Sequence, residues 1–231
     1  MIRHTLSSIE RKYVSNNKSF FKLLEKDFII EDLKRLTFKK GSKIESYITE
    51  KKIFYIRKGV IMRSFNDYEG NKKSLDVLVK DEVLGLSTLS GEIPVVWEIE
   101  VLEDVELVVI PSFILERYAK ELYYIFAVYS QYYLTVVYIS WQAMLSEGAE
   151  RINYALLFLV EKLGLDEYKG YTFPEYVNHN FIASFSAVSR SYVTRHIAVL
   201  EKKGVVSVRD RKLYILDVEK LKMLTPNYRT E

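Results

Sequence analysis

Residues 177–216, VNHNFIASFSAVSRSYVTRHIAVLEKKGVVSVRDRKLYIL, decide how the rest of the chain is read. They hold two short helical patterns joined by a tight break, then Lys202-Lys203-Gly204, then two strand-like runs around a basic turn. In the first pattern Phe181, Ile182 and Phe185 are apolar, with small Ala183 where two helices must approach closely. In the second, Val193, Ile197 and Leu200 recur at helical spacing, so one face packs inward. Arg190, Ser191, Thr194 and Arg195 fall on the opposite face near the helix start. Short hydroxyls can meet phosphate there, and an Arg can reach guanine edges in a major groove. Asn178 suits the N-cap of the first helix. Gly204 ends the second helix, and Val205–Val208 with Leu213–Leu216 make a hairpin whose tip carries Arg209, Arg211 and Lys212. The pattern predicts a winged helix-turn-helix.

A plain helical hairpin followed by a ribbon with solvated charges would show similar periodicity. The local charge favours a binding surface. From Val177 to Leu213 seven basic residues face two acidic ones, leaving +5 in a chain whose formal total is +3. A basic excess of this kind is the electrostatic footprint of phosphate binding.

With what precedes it, this segment resembles the Crp-Fnr family of dimeric bacterial transcription regulators. The resemblance is strongest in Ile182-Ala183, in Ser189-Arg190-Ser191-Tyr192-Val193-Thr194-Arg195, and in Leu200-Glu201-Lys202-Lys203-Gly204-Val205-Val206. Three positions depart from the family pattern: Ala187 stands where a turn glycine is usual, His196 where an apolar residue is usual, and Ser191 where many members carry a Glu. Without that cytosine-accepting carboxylate, the family's half-site sequence is not carried over. The resemblance implies a homodimer reading a palindromic operator in double-stranded DNA. Arg190 and Arg195 would read bases or anchor phosphates, with Ser189, Ser191, Tyr192 and Thr194 completing the surface. Asn178, His179, Arg209, Arg211 and Lys212 would hold the backbone, and RNA polymerase would be a further partner of an activator.

From Leu36 to Ile110 short apolar alternations are punctuated by Lys39-Lys40-Gly41, Arg57-Lys58-Gly59 and Asp67-Tyr68-Glu69-Gly70-Asn71. Turn signals at this spacing suggest an all-β barrel or jelly roll, a double-stranded β-helix. The run IFYIRKGVIMRSFNDYEGNKKSLDVLVKDEVLG, residues 53–85, is similar to the family's cyclic-nucleotide-binding-like sensor domain, with Lys80 in place of its first glycine. Members that bind cyclic nucleotides place a Glu after the final glycine and an Arg-Ser or Arg-Thr pair about ten residues later. Here Leu86 follows Gly85, the later positions are Val95 and Val96, and the paired hydroxyls of the long helix align with Val136 and Val137. A desolvated phosphodiester needs a cation or several donors. Neither cAMP nor cGMP is therefore expected as effector, and no cofactor is expected. An aromatic pocket between barrel and long helix, walled by Trp97, Tyr129, Tyr132 and Tyr133, is the candidate effector site; core or dimer packing would account for the same residues.

A long helix is predicted from Ser112 to about Ser146, with Pro111 at its first position. Leu115, Tyr118, Leu122, Ile125, Tyr129, Tyr132, Val136, Ile139 and Ala143 alternate steps of three and four, a heptad seam expected to face a partner helix. Phe126 and Tyr133 form a second stripe that can face the barrel. Leu122 to Leu145 is uncharged for 24 residues, long enough to span a bilayer, but holds six tyrosines along its length. A buried helix is expected instead. Residues 147–151 read as a hinge, Ile152, Leu156, Leu159 and Leu163 as an amphipathic helix, and Gly164 to Tyr176 as a turn-rich connector. The expected α+β organisation is therefore a sensor domain over 1–111 that opens with polar helix (Phe20, Phe21, Leu24 and Phe28 on one side), a dimerisation helix over 112–146, and a DNA-binding domain over 147–231.

At 231 residues, 48% hydrophobic and 28% charged, the composition is that of a globular chain with real cores. The absence of cysteine excludes disulfides, thiol nucleophiles and cysteine-ligated metal or iron–sulfur centres. His4, His179 and His196 show no metal-ligand spacing, and no phosphate loop or other catalytic constellation is present, so an enzyme is not expected. MIRHTLSSIERKYV lacks an apolar signal core, which leads to a cytoplasmic expectation. Two alternatives stand beside a ligand-controlled regulator: a constitutive DNA binder whose barrel is a scaffold, and a ligand- or protein-interaction module without DNA readout.

Overall fold

The structure is a computed structural model that describes residues 6–27, 33–45, 52–86, 98–167 and 170–225. It divides into two compact units, with the division falling between Thr135 and Val136. The organisation is mixed α+β: an N-terminal β domain, helices, and a C-terminal helix-turn-helix.

In the first unit α1 (Leu6–Asp27) buries Ile9, Tyr13, Asn17, Phe20, Phe21 and Leu24, which recur at helical spacing. The expected Phe28 contact lies outside the described residues. Strands β1 (Arg35–Phe38), β2 (Lys52–Asn66), β3 (Lys72–Leu78), β4 (Val83–Leu84) and β5 (Glu98–Pro111) form an antiparallel sheet in the order β1-β5-β2-β3, with β4 on β2. Because a strand alternates its faces, β2 feeds two cores. Ile53 and Tyr55 join Val108 and Ile110 against α1, where the Phe21 ring stacks on Tyr55 at 3.9 Å. Phe54 and Ile56 join Leu107 and Val109 in the second core. Gly59 has φ +94°, and a Cβ there would lie 2.4 Å from the Asp104 carbonyl oxygen, so only glycine fits this turn.

The predicted long helix is interrupted. Helix α2 (Ser112–Arg117) ends at Tyr118, and α3 runs from Ala119 to Leu145. Pro111 is the N-cap residue of α2, one place earlier than expected. Tyr118, Leu122 and Ile125 are buried among Phe20, Phe21, Leu24, Ile53 and Tyr55, with Phe126 and Tyr129 packed against them. Tyr132 stacks on Tyr13 at 5.4 Å. The first half of the expected partner seam is thus closed inside its own unit, while Val136 and Ile139 are half-buried.

A different stripe of α3 is left outside. Tyr124, Ala127, Gln131, Leu134, Tyr138, Trp141 and Leu145 are all exposed and again alternate steps of three and four. They stand two residues on from the expected seam, a rotation of about 200°, which is the opposite side of the helix.

In the second unit α4 (Gly148–Leu163) buries Ile152, Leu156, Leu159 and Leu163. The predicted hinge is shorter than expected. Glu147 already caps α4, its side chain and that of Glu150 forming a reciprocal capping box. Three elements were not expected. The connector holds β6 (Leu165–Glu167) and β7 (Gly170–Thr172), which join β8 (Val206–Arg209) and β9 (Lys212–Ile215) in the order β6-β7-β9-β8. Helix α7 (Val218–Met223) follows, capped by the Asp217 carboxylate.

Candidate nucleic-acid interface

The first helix of the motif, α5 (His179–Ser186), opens on Asn178, whose Oδ1 accepts from the Asn180 and Phe181 amides at 2.9 and 3.1 Å. It closes on Ala187 in the left-handed region (φ 52°), so the tight break forms without glycine at a cost of roughly 1–2 kcal/mol. Helix α6 (Arg190–Lys202) turns Val193, Ile197 and Leu200 inward, each at most 2% exposed. Its end is a Schellman motif: Gly204 at φ +69° donates to the Glu201 carbonyl, and Val205 donates to that of Leu200.

The outer face of α6 carries Arg190, Ser191, Thr194 and Arg195, all exposed, beside exposed Ser189. Ser189 caps the helix, its Oγ accepting from the Tyr192 amide at 3.2 Å and lying 3.0 Å from Ser191 Oγ. Thr194 Oγ1 donates to the Arg190 carbonyl at 3.1 Å, so its oxygen is left to accept from His179 Nδ1–H at 2.9 Å. In the neutral ring this places the proton on Nδ1 and leaves Nε2 a bare acceptor. Burial first, and Arg190 second, hold the His179 pKa below its ordinary value.

His196 points the other way. Asn153 of α4 donates through Nδ2 to the Leu224 carbonyl at 3.0 Å, which fixes its amide, so Asn153 Oδ1 accepts from His196 Nε2–H at 2.8 Å. This inward bond explains a histidine at a position usually apolar. The ring of Tyr192 also leaves the outer face of α6. It is half-buried against Gly148, where an added Cβ would lie 3.1 Å from two ring carbons, and the Arg195 guanidinium sits 5.7 Å from its centroid.

The hairpin of β8 and β9 is the predicted wing, with each strand starting within one residue of expectation. Its tip, Asp210-Arg211, has φ of 48° and 63°, the primed geometry that matches the strand twist. Glu201 Oε1 accepts from the Val208 amide at 2.8 Å, fastening the wing to the end of α6. Among the described residues no carboxylate forms an ion pair with Arg190, Arg195, Arg209, Arg211 or Lys212. The motif therefore brings together Asn178, His179, the α6 face and the wing tip, and its cations have no carboxylate partner among the described residues. Sequence reasoning missed Asn153 and Gly148; the inward histidine and the glycine at a helix start were the available signals.

The candidate effector residues are differently placed. Trp97 lies outside the described residues. Tyr129 and Tyr132 lie under Tyr13 of α1, at 5.6 and 5.4 Å between centroids, and Tyr133 is 53% exposed. Arg63 of β2 pairs with Asp76 of β3 through Nε at 2.8 Å, beside Tyr129, whose pKa is raised by burial and opposed by the nearby guanidinium. An open basin of about 340 Å3 on this unit lies elsewhere, around Lys39, Lys58, Asp104 and Glu106. No helix among the described residues is long and apolar enough to cross a membrane.

A family model described as the Crp-like helix-turn-helix domain matches residues 150–224. Comparison with curated protein sequences gives no match. Solved structures share the fold at low identity. FixK2 from Bradyrhizobium japonicum is 13% identical at a TM-score of 0.68, covering 84% of this chain and 97% of its own. TTHA1359 from Thermus thermophilus, a transcriptional regulator of the CRP/FNR family, is 22% identical at 0.66, covering 85% and 100%. A cyclic nucleotide-binding domain containing protein from Listeria monocytogenes is 17% identical at 0.70, covering 87% and 98%.

Proposed function

We propose that this chain, whose residues 150–224 match the Crp-like helix-turn-helix domain on a fold shared with CRP/FNR regulators, is a homodimeric, sequence-specific transcription regulator. The observation that carries the reading is the exposed face of α6, flanked by the α5 start and the wing, with five cations free of carboxylate partners among the described residues. In this reading residues 147–231 bind DNA, 112–146 dimerise and 1–111 form the sensor-like domain. Each α6 enters one major groove, so the operator is a palindrome with half-sites about one helical turn apart. Arg190 and Arg195 face the bases or flanking phosphates; Asn178, His179, Arg209, Arg211 and Lys212 hold the backbone.

The dimer seam in this reading is the exposed stripe of α3, Tyr124 through Leu145, because Leu122, Ile125 and Tyr132 are already covered within the chain. An uncharged three-four stripe on a long helix matches a second copy of itself.

A constitutive binder is favoured over control by a cyclic nucleotide. Two of the four rings proposed as pocket walls, Tyr129 and Tyr132, are packed by Tyr13, and the Arg63–Asp76 pair lies beside Tyr129. Selection of bound sequences from random duplex DNA, with no added ligand, tests both levels. A recovered palindrome whose affinity falls steeply with salt supports a regulator that needs no effector. Rescue of binding by small-molecule fractions would replace the constitutive reading with a ligand-controlled one. Affinity indifferent to salt would refute DNA binding.

A further inference from the structure

Arg195 is exposed near the centre of the α6 surface, yet among the described residues its long side chain has no ion pair to orient it. What it does have is the face of Tyr192, three residues earlier on the same helix, with the guanidinium 5.7 Å from the ring centroid. The ring in turn is packed at its hydroxyl end. Gly148, the first residue of α4, presents bare backbone to Tyr192, and a methyl group there would press to 3.1 Å on Cε1 and Cζ and to 3.4 Å on the hydroxyl. Gly148 has no left-handed backbone conformation to explain it, and an alanine would favour the helix. The glycine is therefore explained by the ring it seats.

Resting on the DNA-binding reading above, we infer that Tyr192 is the positioning residue for Arg195, and that Gly148 is glycine to seat it. The chain leaves α3 at Leu145 and enters α4 at Gly148, only three residues on. The junction of the two helices thus reaches the selecting side chain through one aromatic ring. Any change in the first turn of α4 moves the platform on which Arg195 rests, and so alters sequence selection before it alters the number of phosphate contacts. An arginine pre-set on a planar face loses less freedom on meeting a base than a free one.

The test compares the full-length wild type with G148A, Y192F, Y192L and R195A on the selected operator and on a scrambled duplex. The readouts are the affinity ratio of the two duplexes, the salt slope and Tm. For G148A the expected result is a Tm at or above wild type with selectivity lower by about threefold to tenfold, because the ring must yield a few tenths of an ångström. Y192F should match wild type, Y192L should approach R195A, and all salt slopes should stay alike. In an R195A background G148A should cost no further selectivity, since it acts through that side chain. G148A and Y192L as selective as wild type, beside a defective R195A, would overturn the inference alone. A wild-type chain that selects no duplex would overturn the parent reading and this inference with it.

Discussion

Helices α3 and α6 both bury one face and expose another, yet their outer faces are chemically opposite. The outside of α6 is arginine and short hydroxyls, each hydroxyl already bonded to a cap or a carbonyl and each arginine without a carboxylate among the described residues. The outside of α3 is Tyr124, Leu134, Tyr138, Trp141 and Leu145. Solvated cations are stable in water and bind a polyanion by releasing its counterions. Exposed rings and leucines in a continuous stripe are not stable in the same way, and such a patch marks an apolar partner surface. One chain therefore carries two unfinished surfaces, and in the proposed reading their chemistry separates the partners: DNA for one, a second copy for the other.

The comparison breaks most visibly at α3. Introducing L134E with W141E should convert dimer to monomer in sedimentation and lower operator affinity by about 100-fold or more, because two linked half-site contacts become one. L122E should act differently, unfolding the β unit, since it places a charge in the core beside Phe21 and Ile53. If L122E dissociates a folded protein instead, the two seams have been assigned to the wrong sides. On α6, R195A should leave the dimer intact and reduce selectivity by roughly 5- to 150-fold, the range for one base contact.

A smaller effect sharpens the α5 end. The neutral His179 ring gives its only proton to Thr194, so it offers a phosphate no donor until Nε2 is protonated. A phosphate contact would raise a pKa that burial and Arg190 depress in the free protein. Affinity should then be flat at high pH, rise as pH falls through the window between the two values, and be fully gained below the free value, which lies under about 6.5. The rise should be roughly threefold to tenfold in a filter or fluorescence titration, and H179Q should flatten it. The smallest effect lies within the β unit. Asn17 is 1% exposed with neither amide atom hydrogen-bonded, so N17L should stabilise by about 1 kcal/mol and raise Tm without altering DNA affinity.

The winged helix-turn-helix was legible because its signals are local. The Asn178 cap, the Val193-Ile197-Leu200 face, the Gly204 ending and the basic hairpin tip each depend on residues within a few positions. The β strands were legible in outline for the same reason, through alternation and turn glycines such as Gly59. The short β6–β7 pair was not, because three-residue strands have too little periodicity and become strands by pairing with β9. The break at Tyr118 was hidden inside an unbroken apolar pattern.

The sequence by itself determined a winged helix-turn-helix with a basic outer face, a β unit before it and a long uncharged helix between, because periodicity, caps and charge are written along the chain. It also contained two heptad stripes on α3 on opposite sides of the same helix. Only the tertiary structure decided which stripe is buried, since burial depends on α1 and β2, residues about sixty to one hundred positions away in the chain. The same holds for Tyr192 and His196: helix spacing places them on α6, but only the arrival of Gly148 and Asn153 from α4 gives the Tyr192 ring its seat and the His196 ring its inward hydrogen bond.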